Sequence, residues 1–467
     1  MKTTVVILAA GLGTRMRSKQ AKVLHRAGGL SLVEHVVQAA SAVAPRDRIV
    51  VVTGHQADTV EALLEPMGVR FARQVQQKGT GHAVMCAREQ LQQADPKQDG
   101  LLLVLYGDTP LLSAAALKQL HDHQAASDAA ATLITTTLDN PSGYGRVIMD
   151  KAGNVSNIVE HKDATPAQLT VRVINSGIYC FRAKLLWKHI AEIKPNASSS
   201  ELYLTDMAEI LNRNGQRVES LHIDDSSELL GINTRIELAE ADRILRARKT
   251  RELMLAGVTI ERPETVAIDA QVRVGADTVI EPFARLLGST AVGEDCRIGQ
   301  GAILESAGLA DRVVIAPYTL VSDSRIDPGA QVGPFARLRM QAQIGPEARV
   351  GNFVELKKTR LGAGSKSQHL AYLGDAEIGE RVNIGAGTIT CNYDGEKKNT
   401  TRIGAGTFIG SNSSLVAPVE IGQDSYVAAG SVITDAVPAH ALALGRARQV
   451  NKPGWVKNRK KKSTKKS

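Results

Sequence analysis

A glycine-containing segment near the start of the chain has residue types suited to binding phosphate. Gly11-Leu12-Gly13-Thr14-Arg15-Met16 follows an apolar run, and Lys22 lies six residues beyond Met16. Glycines let backbone amides approach a phosphate closely, and the start of a helix adds a favourable dipole. Met16 occupies the place of the third glycine of a dinucleotide fingerprint, so that motif is not met. The segment predicts a phosphate loop that opens a helix, with a plain turn as the alternative.

A single carboxylate follows a later apolar run, in Tyr106-Gly107-Asp108. A carboxylate at the end of a strand suits Mg²⁺, which keeps several waters and shares the phosphates of its substrate. Arg15 and Lys22 can neutralise a triphosphate, so the three charged residues together favour phosphoryl-transfer chemistry. Asp108 as a turn residue or helix cap is the alternative.

The rear half holds a second group of candidate residues around His369. Histidine titrates near neutral pH and can therefore accept a proton during a reaction. Lys357-Lys358-Thr359-Arg360 precedes it, and Tyr372 and the segment Cys391-Asn392-Tyr393-Asp394-Gly395 follow it. A lone histidine in a loop is more often an ordinary surface residue, but the nearby cations favour a site.

The elements that must position these groups change in period along the chain. Residues 1–225 alternate buried-strand patterns (Val5–Leu8, Ile49–Val52, Leu101–Leu105) with helical patterns (Leu32–Ala40, Ala57–Leu64). Continuous apolar strands alternating with helices indicate a mostly parallel sheet that is covered on both faces. The first domain is therefore predicted to be Rossmann-like α/β, and a charged helical linker is predicted over residues 226–256.

From residue 257 to 450 an aliphatic residue followed by glycine recurs, often in steps of six. This is the hexapeptide signature of a parallel β-helix, in which each aliphatic side chain stacks on its equivalent one coil away. The repeat has two apparent breaks. Val350 to Ile378 is 28 residues, ten more than an 18-residue coil, and Ile384 to Ile403 is 19. We expect these insertions to protrude as loops that carry Lys357, His369 and Tyr372. The matches are Ile298, Ile344, Val350, Ile378, Ile384, Ile403, Ile409 and Ile421, each followed by Gly.

The net charge of +9 is concentrated in the tail, because residues 452–467 carry eight positive charges and no negative ones. The tail, taken as residues 451–467, is predicted to be unstructured, and the body of the chain gives little reason to expect nucleic-acid binding. Four widely spaced cysteines favour a reducing compartment over disulfides or structural zinc. No apolar run is long enough to span a membrane, so we expect a cytoplasmic protein.

The order of motifs resembles a known family. After the phosphate loop come Gln74, Gly79-Thr80-Gly81-His82-Ala83, Gly143-Tyr144-Gly145-Arg146, Val159-Glu160-His161-Lys162 and Asn175-Ser176-Gly177, and the β-helix follows. Over residues 4–450 the chain is similar to the bacterial bifunctional uridyltransferase/acetyltransferases that make UDP-N-acetylglucosamine, a precursor of peptidoglycan and lipopolysaccharide. The resemblance implies N-acetylation of glucosamine-1-phosphate by acetyl-CoA, Mg²⁺-dependent uridylyl transfer from UTP, a left-handed β-helix and a homotrimer.

The resemblance also implies roles for individual residues. His369 would be the general base of acetyl transfer, and Arg15 and Lys22 would be catalytic in uridylyl transfer. Asp108 and Asn233 would hold the metal. UTP and the UDP-sugar would contact Leu8, Ala9, Gly11, Gly13, Lys22, Gln74, Gly79, Thr80, Tyr106, Asp108, Gly145, Glu160, Asn175 and Asn233. The amino-sugar phosphate would contact Arg339, Lys357, Tyr372 and Asn383, and acetyl-CoA would contact Ala386, Asn392, Tyr393, Ser411, Ala429 and Arg446.

Two residues depart from the family pattern, because Ala21 and Met340 stand where proline is usual. Three other functions stay open at this point. The first is a sugar nucleotidyltransferase whose β-helix is only structural or regulatory, as in ADP-glucose pyrophosphorylases. The second is a non-catalytic exchange subunit of a translation factor, and the third is nucleic-acid binding through the tail.

Overall fold

The computed structural model describes residues 2–197 and 199–463, with side chains as far as Arg459. It divides into two compact units, Met1–Arg248 and Lys249–Ser467. The four cysteines Cys86, Cys180, Cys296 and Cys391 are free thiols. Among the helices of the described residues, none is long and apolar enough to cross a membrane.

The first unit is built on one mixed sheet. Its strands are β1 (Thr3–Leu8), β2 (Arg26–Ala27), β3 (Leu30–Ser31), β4 (Ile49–Thr53), β5 (Arg70–Arg73), β6 (Leu101–Tyr106), β7 (Ala131–Thr137), β8 (Arg146–Met149), β9 (Val155–Val159), β10 (Val173–Arg182) and β11 (Val218–His222). The main sheet has the order β11-β7-β10-β6-β1-β4-β5, with β8 and β9 attached to β10 and with β2 and β3 forming a separate pair. Strand β1 pairs in parallel with β4 and β6, whereas β10 runs antiparallel to β6 and β7.

Helices cover this sheet on both faces, and the predicted Rossmann-like architecture is confirmed. The helices of the chain are α1 (Leu32–Ala40), α2 (Ala57–Leu64), α3 (Thr80–Cys86), α4 (Arg88–Ala94), α5 (Ala114–Ala126), α6 (Pro166–Leu169), α7 (Ala183–His189), α8 (Met207–Arg213), α9 (Arg235–Leu255) and α10 (Trp455–Ser463). The ranges predicted for α1 and α2 are confirmed. Helix α1 begins with a capping box, in which Ser31 accepts from the Glu34 amide and the Glu34 side chain accepts from the Ser31 amide.

The segment between the two predicted domains contains α9, after a short 3-10 turn over Ser226–Leu229. In the first unit, Ala241 and Leu245 pack with Ala27, Leu32 and Ile232. In the tail, which the sequence predicts to be unstructured, α10 is present at Trp455–Ser463, and residues 464–467 lie outside the described part of the chain.

The second unit is a parallel β-helix of short strands. They are β12 (Thr259–Ile260), β13 (Ala267–Ile268), β14 (Arg273–Val274), β15 (Val279–Ile280), β16 (Arg285–Leu287), β17 (Ala291–Val292), β18 (Arg297–Ile298), β19 (Ile303–Glu305), β20 (Gly308–Leu309), β21 (Val314–Ile315), β22 (Leu320–Ser322), β23 (Arg325–Ile326), β24 (Gln331–Val332), β25 (Arg337–Arg339), β26 (Gln343–Ile344), β27 (Arg349–Asn352), β28 (Glu355–Lys357), β29 (Arg360–Leu361), β30 (Lys366–His369), β31 (Tyr372–Gly374), β32 (Ala376–Ile378), β33 (Asn383–Ile384), β34 (Ile389–Cys391), β35 (Thr401–Ile403), β36 (Phe408–Ile409), β37 (Ser414–Val416), β38 (Val419–Ile421), β39 (Tyr426–Val427), β40 (Val432–Ile433) and β41 (Leu442–Ala443).

Every third strand pairs in parallel with the next, which gives three sheets of 11, 10 and 9 strands along the β-helix. All eight aliphatic residues of the predicted repeat lie in one continuous core, each at most 4% exposed. Burying such a side chain stabilises the fold by about 1.5–3 kcal/mol. The β-helix prediction is therefore confirmed.

The two predicted insertions are wrong in size and place. Val350 pairs with Ser367, and Ser367 pairs with Ile384, so the spacing remains 17 residues through this region. Ser367 is fully buried at a position that holds an aliphatic residue in other coils, and this substitution hides the repeat in the sequence. Lys357, His369 and Tyr372 therefore lie on regular strands rather than in a protruding loop.

The one real interruption in this part of the described chain follows Cys391. Ile378 pairs with Ile403, a spacing of 25 residues, which is seven more than an 18-residue coil. The extra residues form a loop between β34 and β35 that contains Asn392 and Tyr393. Counting from Ile384 to Ile403 compared two positions that are not equivalent, and the loop was therefore underestimated.

Candidate active sites

The glycine segment lies at the carboxyl end of β1, next to the end of β6. Leu8 pairs with Tyr106, and the Leu8 carbonyl accepts from the Gly107 amide at 2.9 Å. Ala9 donates its amide to Val52 at 2.9 Å, so the first turn of the segment is tied to β4. Carboxyl ends of parallel strands are where open α/β sheets bind ligands. Leu8, Ala9, Tyr106 and Asp108 therefore share one edge.

The predicted helix after the glycines is not present. Thr14–Met16 form only a 3-10 turn, flanked by Gly13 at φ 61° and Arg17 at φ 48°, and left-handed backbone on both sides prevents the turn from continuing. A side chain at Gly13 would place its Cβ 2.5 Å from the Lys22 Cβ, whereas Gly11 has open space. The binding of phosphate here depends on loop amides and cationic side chains, with no helix dipole.

Lys22, Asp108 and Asn233 meet at the centre of this edge. The Lys22 ammonium forms an ion pair with Asp108 Oδ2 and donates to Asn233 Oδ1 at 3.0 Å. Arg15 Nη2 donates to the same Asn233 oxygen at 2.9 Å. Two oxygen atoms from distant parts of the chain thus approach one cation, an arrangement that a divalent ion with phosphate ligands can use.

Asn233 reaches this place through backbone contacts with the Asp108 segment. Ile232 donates its amide to the Asp108 carbonyl at 2.9 Å, and Gly231 lies beside the Asp108 carboxylate. The Glu237 carboxylate then accepts from the amides of Asn233 and Thr234 at 2.6 and 2.8 Å, which fixes the start of α9.

The departure at Ala21 leaves the backbone before Lys22 in a conformation that proline also adopts. Ala21 has φ −55° and ψ 139°, and its amide donates to Gln56 Oε1 at 2.8 Å. Lys22 therefore keeps its place although proline is missing.

A second cluster contains Gln74, Gly79 and Thr80, which the family resemblance assigns to the uracil. Gln74 is buried and follows β5, and its side-chain amide donates to the Gly79 carbonyl at 3.0 Å. Gly79 has φ 95°, and a Cβ there would lie 2.6 Å from the Leu202 carbonyl oxygen. Thr80 Oγ1 accepts from the Leu204 amide at 3.0 Å and also bonds to the Tyr106 hydroxyl. The cluster is held in place by the segment at 202–204.

The residues assigned to the sugar form a third cluster on β8, β9 and β10. Asn175 donates its amide to the Gly145 carbonyl at 2.9 Å, and its side chain donates to Tyr179 at 2.7 Å. Burial raises the pKa of the Glu160 carboxyl, and a hydrogen bond from Thr205 partly opposes that shift. Burial likewise raises the pKa of the Tyr106 hydroxyl, with a smaller contribution from the charge of Glu160.

Tyr144 connects this cluster to the charged centre. Burial raises the pKa of its hydroxyl first, and the negative charges of Glu237 and Asp108 add to the rise, while Arg15 opposes it. Such an electrostatic effect requires that Tyr144 lie close to these charges. The structure thus brings all fourteen predicted nucleotide and sugar residues to one edge of the first unit, around three connected clusters.

In the second unit His369 stands at the end of β30, on the surface. Its Nδ1 lies 3.1 Å from Asn352 Oδ1, the equivalent position one coil earlier. An amide oxygen can only accept, so Nδ1 carries the ring proton and Nε2 of the neutral ring keeps a free lone pair. This arrangement suits a general base that faces away from the protein.

Small residues continue the column that Asn352 and His369 begin. Gly387 bonds to the His369 carbonyl, Asn412 to the Ala386 carbonyl and Gly430 to the Ser411 carbonyl, at 3.4, 2.7 and 2.8 Å. Successive coils therefore present Ala386, Ser411 and Ala429 in line with His369. A row of small side chains leaves room for an extended ligand beside the histidine. Arg446 lies past the end of the row, near Gly430.

Next to this column, on the neighbouring sheet, polar groups gather around Asp375. Its carboxylate accepts from the Lys357 ammonium at 3.2 Å and from the Asn392 amide at 2.5 Å, and both members of the Lys357–Asp375 pair are mostly buried. Gly374 pairs with Lys357, and a Cβ at Gly374 would lie 2.5 Å from the Tyr372 hydroxyl. Lys357, Tyr372 and Asn392 thus surround one small patch.

Arg339 extends this patch by one coil, because β25 pairs it with Lys357. Its Nε donates to the Glu355 carboxylate at 2.7 Å. Met340 has φ 54°, which proline cannot adopt, so the turn after Arg339 differs locally from one that contains proline.

Two of the predicted residues lie apart from the patch. Asn383 is on β33, in the same sheet as His369, where it pairs with Lys366 and Phe408. Tyr393 is exposed in the loop after β34, with the Lys398 ammonium 4.1 Å from its ring centroid. A surface groove of about 1220 Å³ runs along the third sheet, and none of the predicted site residues lines it.

Sequence reasoning missed three residues that hold the site residues in place. They are Asn352, Glu355 and Asp375, which contact His369, Arg339 and Lys357 respectively. The coil period would have found two of them, because Asn352 precedes His369 by 17 positions and Asp375 follows Lys357 by 18. The buried Ser367 concealed that period.

The geometry defines an α/β nucleotidyltransferase unit joined to a hexapeptide-repeat transferase unit, and comparisons with known proteins agree. Residues 5–171 match the MobA-like NTP transferase domain, and residues 400–435 match the bacterial transferase hexapeptide (six repeats).

Relatives match over nearly the whole chain. The bifunctional protein GlmU of Solibacter usitatus is 55% identical over 98% of this chain and 97% of its own length. Those of Koribacter versatilis and Anaeromyxobacter dehalogenans are 47% and 51% identical, over 100% and 97% of this chain and 99% and 92% of their own lengths. The chain belongs to the bifunctional GlmU family. It is a bifunctional transferase, and a nucleoside triphosphate is one of its substrates.

Proposed function

We propose that this enzyme makes UDP-N-acetylglucosamine in two steps at two sites. The second unit transfers the acetyl group of acetyl-CoA to glucosamine-1-phosphate. The first unit then joins the N-acetylated sugar phosphate to the uridylyl group of UTP and releases pyrophosphate. One observation carries the proposal: each unit of a GlmU-family chain holds a complete set of groups for one of these reactions, around Lys22 and Asp108 in the first and around His369 in the second.

In uridylyl transfer, a phosphate oxygen of the sugar attacks the α-phosphorus of UTP. A bond to that phosphorus forms, and the bond to the oxygen that bridges the α- and β-phosphates breaks. The residues mainly align the reactants and neutralise their charge. Arg15 and Lys22 supply two cations at the end of β1, and the loop amides around Gly11 and Gly13 can approach the phosphates. Gly145, Glu160 and Asn175 would hold the sugar.

Asp108 and Asn233 fit a magnesium ion. Their oxygen atoms are both within reach of the Lys22 ammonium, so one cation can contact both. No cluster of three or more histidine, cysteine or acidic residues that could hold a metal occurs within the described residues, and Mg²⁺ with two protein ligands takes its other ligands from water and phosphate. When bound, the ion would neutralise charge on the triphosphate.

In acetyl transfer, the sugar nitrogen attacks the thioester carbonyl, a C–N bond forms and the C–S bond breaks. His369 Nε2 would take the proton of the amine, and the thiolate of CoA would leave. Asn352 holds the ring with Nε2 free. Arg339 and Lys357 would bind the sugar phosphate together with Tyr372 and Asn383.

Acetyl-CoA would lie along the column Ala386, Ser411 and Ala429. The column starts at His369, and this places a thioester near the base. Arg446 at its far end is suited to the phosphates of CoA. Asn392 and Tyr393 would contact the ligand from the loop after β34.

A homotrimer through the β-helix is part of the proposal, and an exposed aromatic column supports it. Tyr318, Phe335 and Phe353 stack at one corner of successive coils, with ring centroids 5.5 Å apart. Each is about half exposed, and Leu370 continues the column directly beside His369. Monomers rarely leave such a continuous apolar row uncovered. Phe335→Asp is expected to produce monomers in light scattering, and an unchanged oligomer would remove this support.

The test of the function is a product assay that omits one component at a time. With glucosamine-1-phosphate, acetyl-CoA, UTP and Mg²⁺ together, we expect UDP-N-acetylglucosamine and pyrophosphate. Without UTP, N-acetylglucosamine-1-phosphate should accumulate. Without acetyl-CoA, no UDP-sugar should form unless N-acetylglucosamine-1-phosphate is supplied. A protein that uses N-acetylglucosamine-1-phosphate but never acetylates glucosamine-1-phosphate would be a single-activity nucleotidyltransferase.

A further inference from the structure

The side chain of Gln74 is held in one orientation by two acceptors. Its Nε2 lies 3.0 Å from the Gly79 carbonyl oxygen and 3.0 Å from His82 Nδ1. A carbonyl oxygen can only accept, so the end of the amide that faces Gly79 must be the NH₂ group. The Gln74 main chain is fixed as well, because its amide donates to Thr53 at 2.8 Å.

His82 is the second acceptor, and its position is fixed by α3. Gly81 donates its amide to Leu202 at 2.8 Å, and Leu204 donates to Thr80 Oγ1 at 3.0 Å, so the first turn of the helix is tied to the 202–204 segment. The imidazole lies between Gln74 and the Cys86 sulfur, which is 3.8–3.9 Å from the two ring nitrogens. To accept from Gln74, Nδ1 must be unprotonated, and the neutral ring then carries its proton on Nε2.

This arrangement leaves one polar atom of Gln74 for a ligand. Both N–H groups of the amide are used, and Oε1 accepts no hydrogen bond within the described part of the chain. Oε1 is an acceptor only. The N3 atom of uracil carries a proton and can donate to it, whereas N3 of cytosine is an acceptor and would face it without a bond.

We propose that His82 is a positioning residue that makes the site select uracil over cytosine. It does so by holding the Gln74 NH₂ group away from the base and its oxygen toward the base. The proposal rests on the proposed function in one respect, which is that Gln74 faces the base of the nucleotide. Without His82, rotation of the amide would let Gln74 present either a donor or an acceptor.

The experiment compares two substitutions of His82 in the full-length enzyme, with UTP and CTP as nucleotides. His82→Leu removes the acceptor. His82→Asn is the matched control, because Asn Oδ1 is as many bonds from Cα as His Nδ1 and can accept the same hydrogen bond. We expect His82→Leu to raise the KM for UTP about tenfold and to lower the UTP-over-CTP preference in kcat/KM by about tenfold. His82→Asn should restore most of both.

The same variant should leave other constants nearly unchanged. The kcat at saturating UTP and the KM for N-acetylglucosamine-1-phosphate should stay within about twofold, because His82 acts on binding of the base and not on the reacting phosphorus. Acetyl transfer by the second unit counts the intact protein in each preparation. If His82→Leu misfolds, His82→Ala also lacks an acceptor and adds no bulk, and the same result is expected of it.

Two outcomes would overturn the proposal. In the first, the acceptor-free variants keep the wild-type preference for UTP over CTP. In the second, His82→Asn loses that preference as fully as His82→Leu. Gln74→Ala separates this failure from that of the proposed function. If Gln74→Ala leaves the KM for UTP unchanged, Gln74 is not at the base, and the assignment of the nucleotide site is then itself wrong.

Discussion

The two candidate sites are built in opposite ways. In the first unit the charged groups contact one another: Lys22 bridges Asp108 and Asn233, and Arg15 bonds to the same asparagine. In the second unit the base has a single polar contact, from His369 to Asn352, and the anion-binding cations lie on a neighbouring sheet. The first site depends on residues that are up to 218 positions apart, and the second on positions one coil apart.

This difference teaches how each fold makes a site. In the α/β unit, strand ends supply single residues, and a separate segment must dock to complete the set, as Ile232 does on Asp108. In the β-helix each coil repeats the backbone of the previous one, so residues at a fixed spacing become a column. The first site is consequently sensitive to any loss of a partner, whereas the second should tolerate changes outside its column.

The largest expected effect is the loss of the base in the second unit. His369→Ala should lower the kcat of acetyl transfer about 10²–10⁴-fold, because no other group in the column can take the proton. Uridylyl transfer should stay within about twofold, since the substitution is in the other unit. Coupled assays with acetyl-CoA and with N-acetylglucosamine-1-phosphate measure both. Loss of both activities in folded protein would contradict the separation of the sites.

The converse change is expected to be nearly as large. Asp108→Ala removes one of the two oxygens that meet the Lys22 cation, and we expect uridylyl transfer to fall about 100-fold or more. Acetyl transfer should be unaffected. Asp108→Asn is the matched variant, because it keeps an oxygen but loses the charge. Raising Mg²⁺ should recover part of its activity and none of that of Asp108→Ala. Equal recovery in both would argue against a ligand role.

A smaller effect is expected from the residue that orients the base. Asn352→Leu removes the acceptor of the His369 Nδ1 proton, so the ring can rotate or change tautomer. The kcat of acetyl transfer should fall about tenfold, in proportion to one hydrogen bond. Asn352→Asp keeps an acceptor and should retain more activity near neutral pH. If Asn352→Leu behaves as wild type, His369 does not depend on this contact.

The smallest expected effect concerns stability and pH. Burial raises the pKa of Glu160, so the folded protein keeps this proton at pH values where the unfolded chain has released it. The contribution of Glu160 to stability therefore decreases as pH rises from its ordinary range through the raised pKa. Glu160→Gln should raise the Tm of the first unit by a few degrees near neutral pH and change it little at about pH 4. A lower Tm near neutral pH would contradict this.

Much of the fold followed from the sequence, because strong local patterns determine it. The apolar runs of β1, β4 and β6 and the helices α1 and α2 were predicted in place. The helix after Gly13 was wrong, because positive φ at Gly13 and Arg17 is a tertiary outcome that the residue types do not reveal. The insertion before Ile378 was wrong, because Ser367 is buried where the repeat predicts an aliphatic residue.

The site residues divide along the same line. Arg15, Lys22, Asp108 and His369 can be chosen from their chemistry, and the coil period gives the column from Ala386 to Ala429. Asn233 could come only from resemblance, since an isolated asparagine before a helix is usually a cap. Asp375 and Asn352 needed the register of the β-helix. Local physics thus predicts the reactive groups, and long-range docking determines their partners.

Mixing two single-site variants tests the central claim most directly. His369→Ala and Asp108→Ala are each incubated with glucosamine-1-phosphate, acetyl-CoA, UTP and Mg²⁺, alone and together, and UDP-N-acetylglucosamine is measured by mass spectrometry. If the chain has two independent active sites joined by a released intermediate, neither variant alone makes the product and the mixture does. A mixture as inactive as each variant alone would contradict that account.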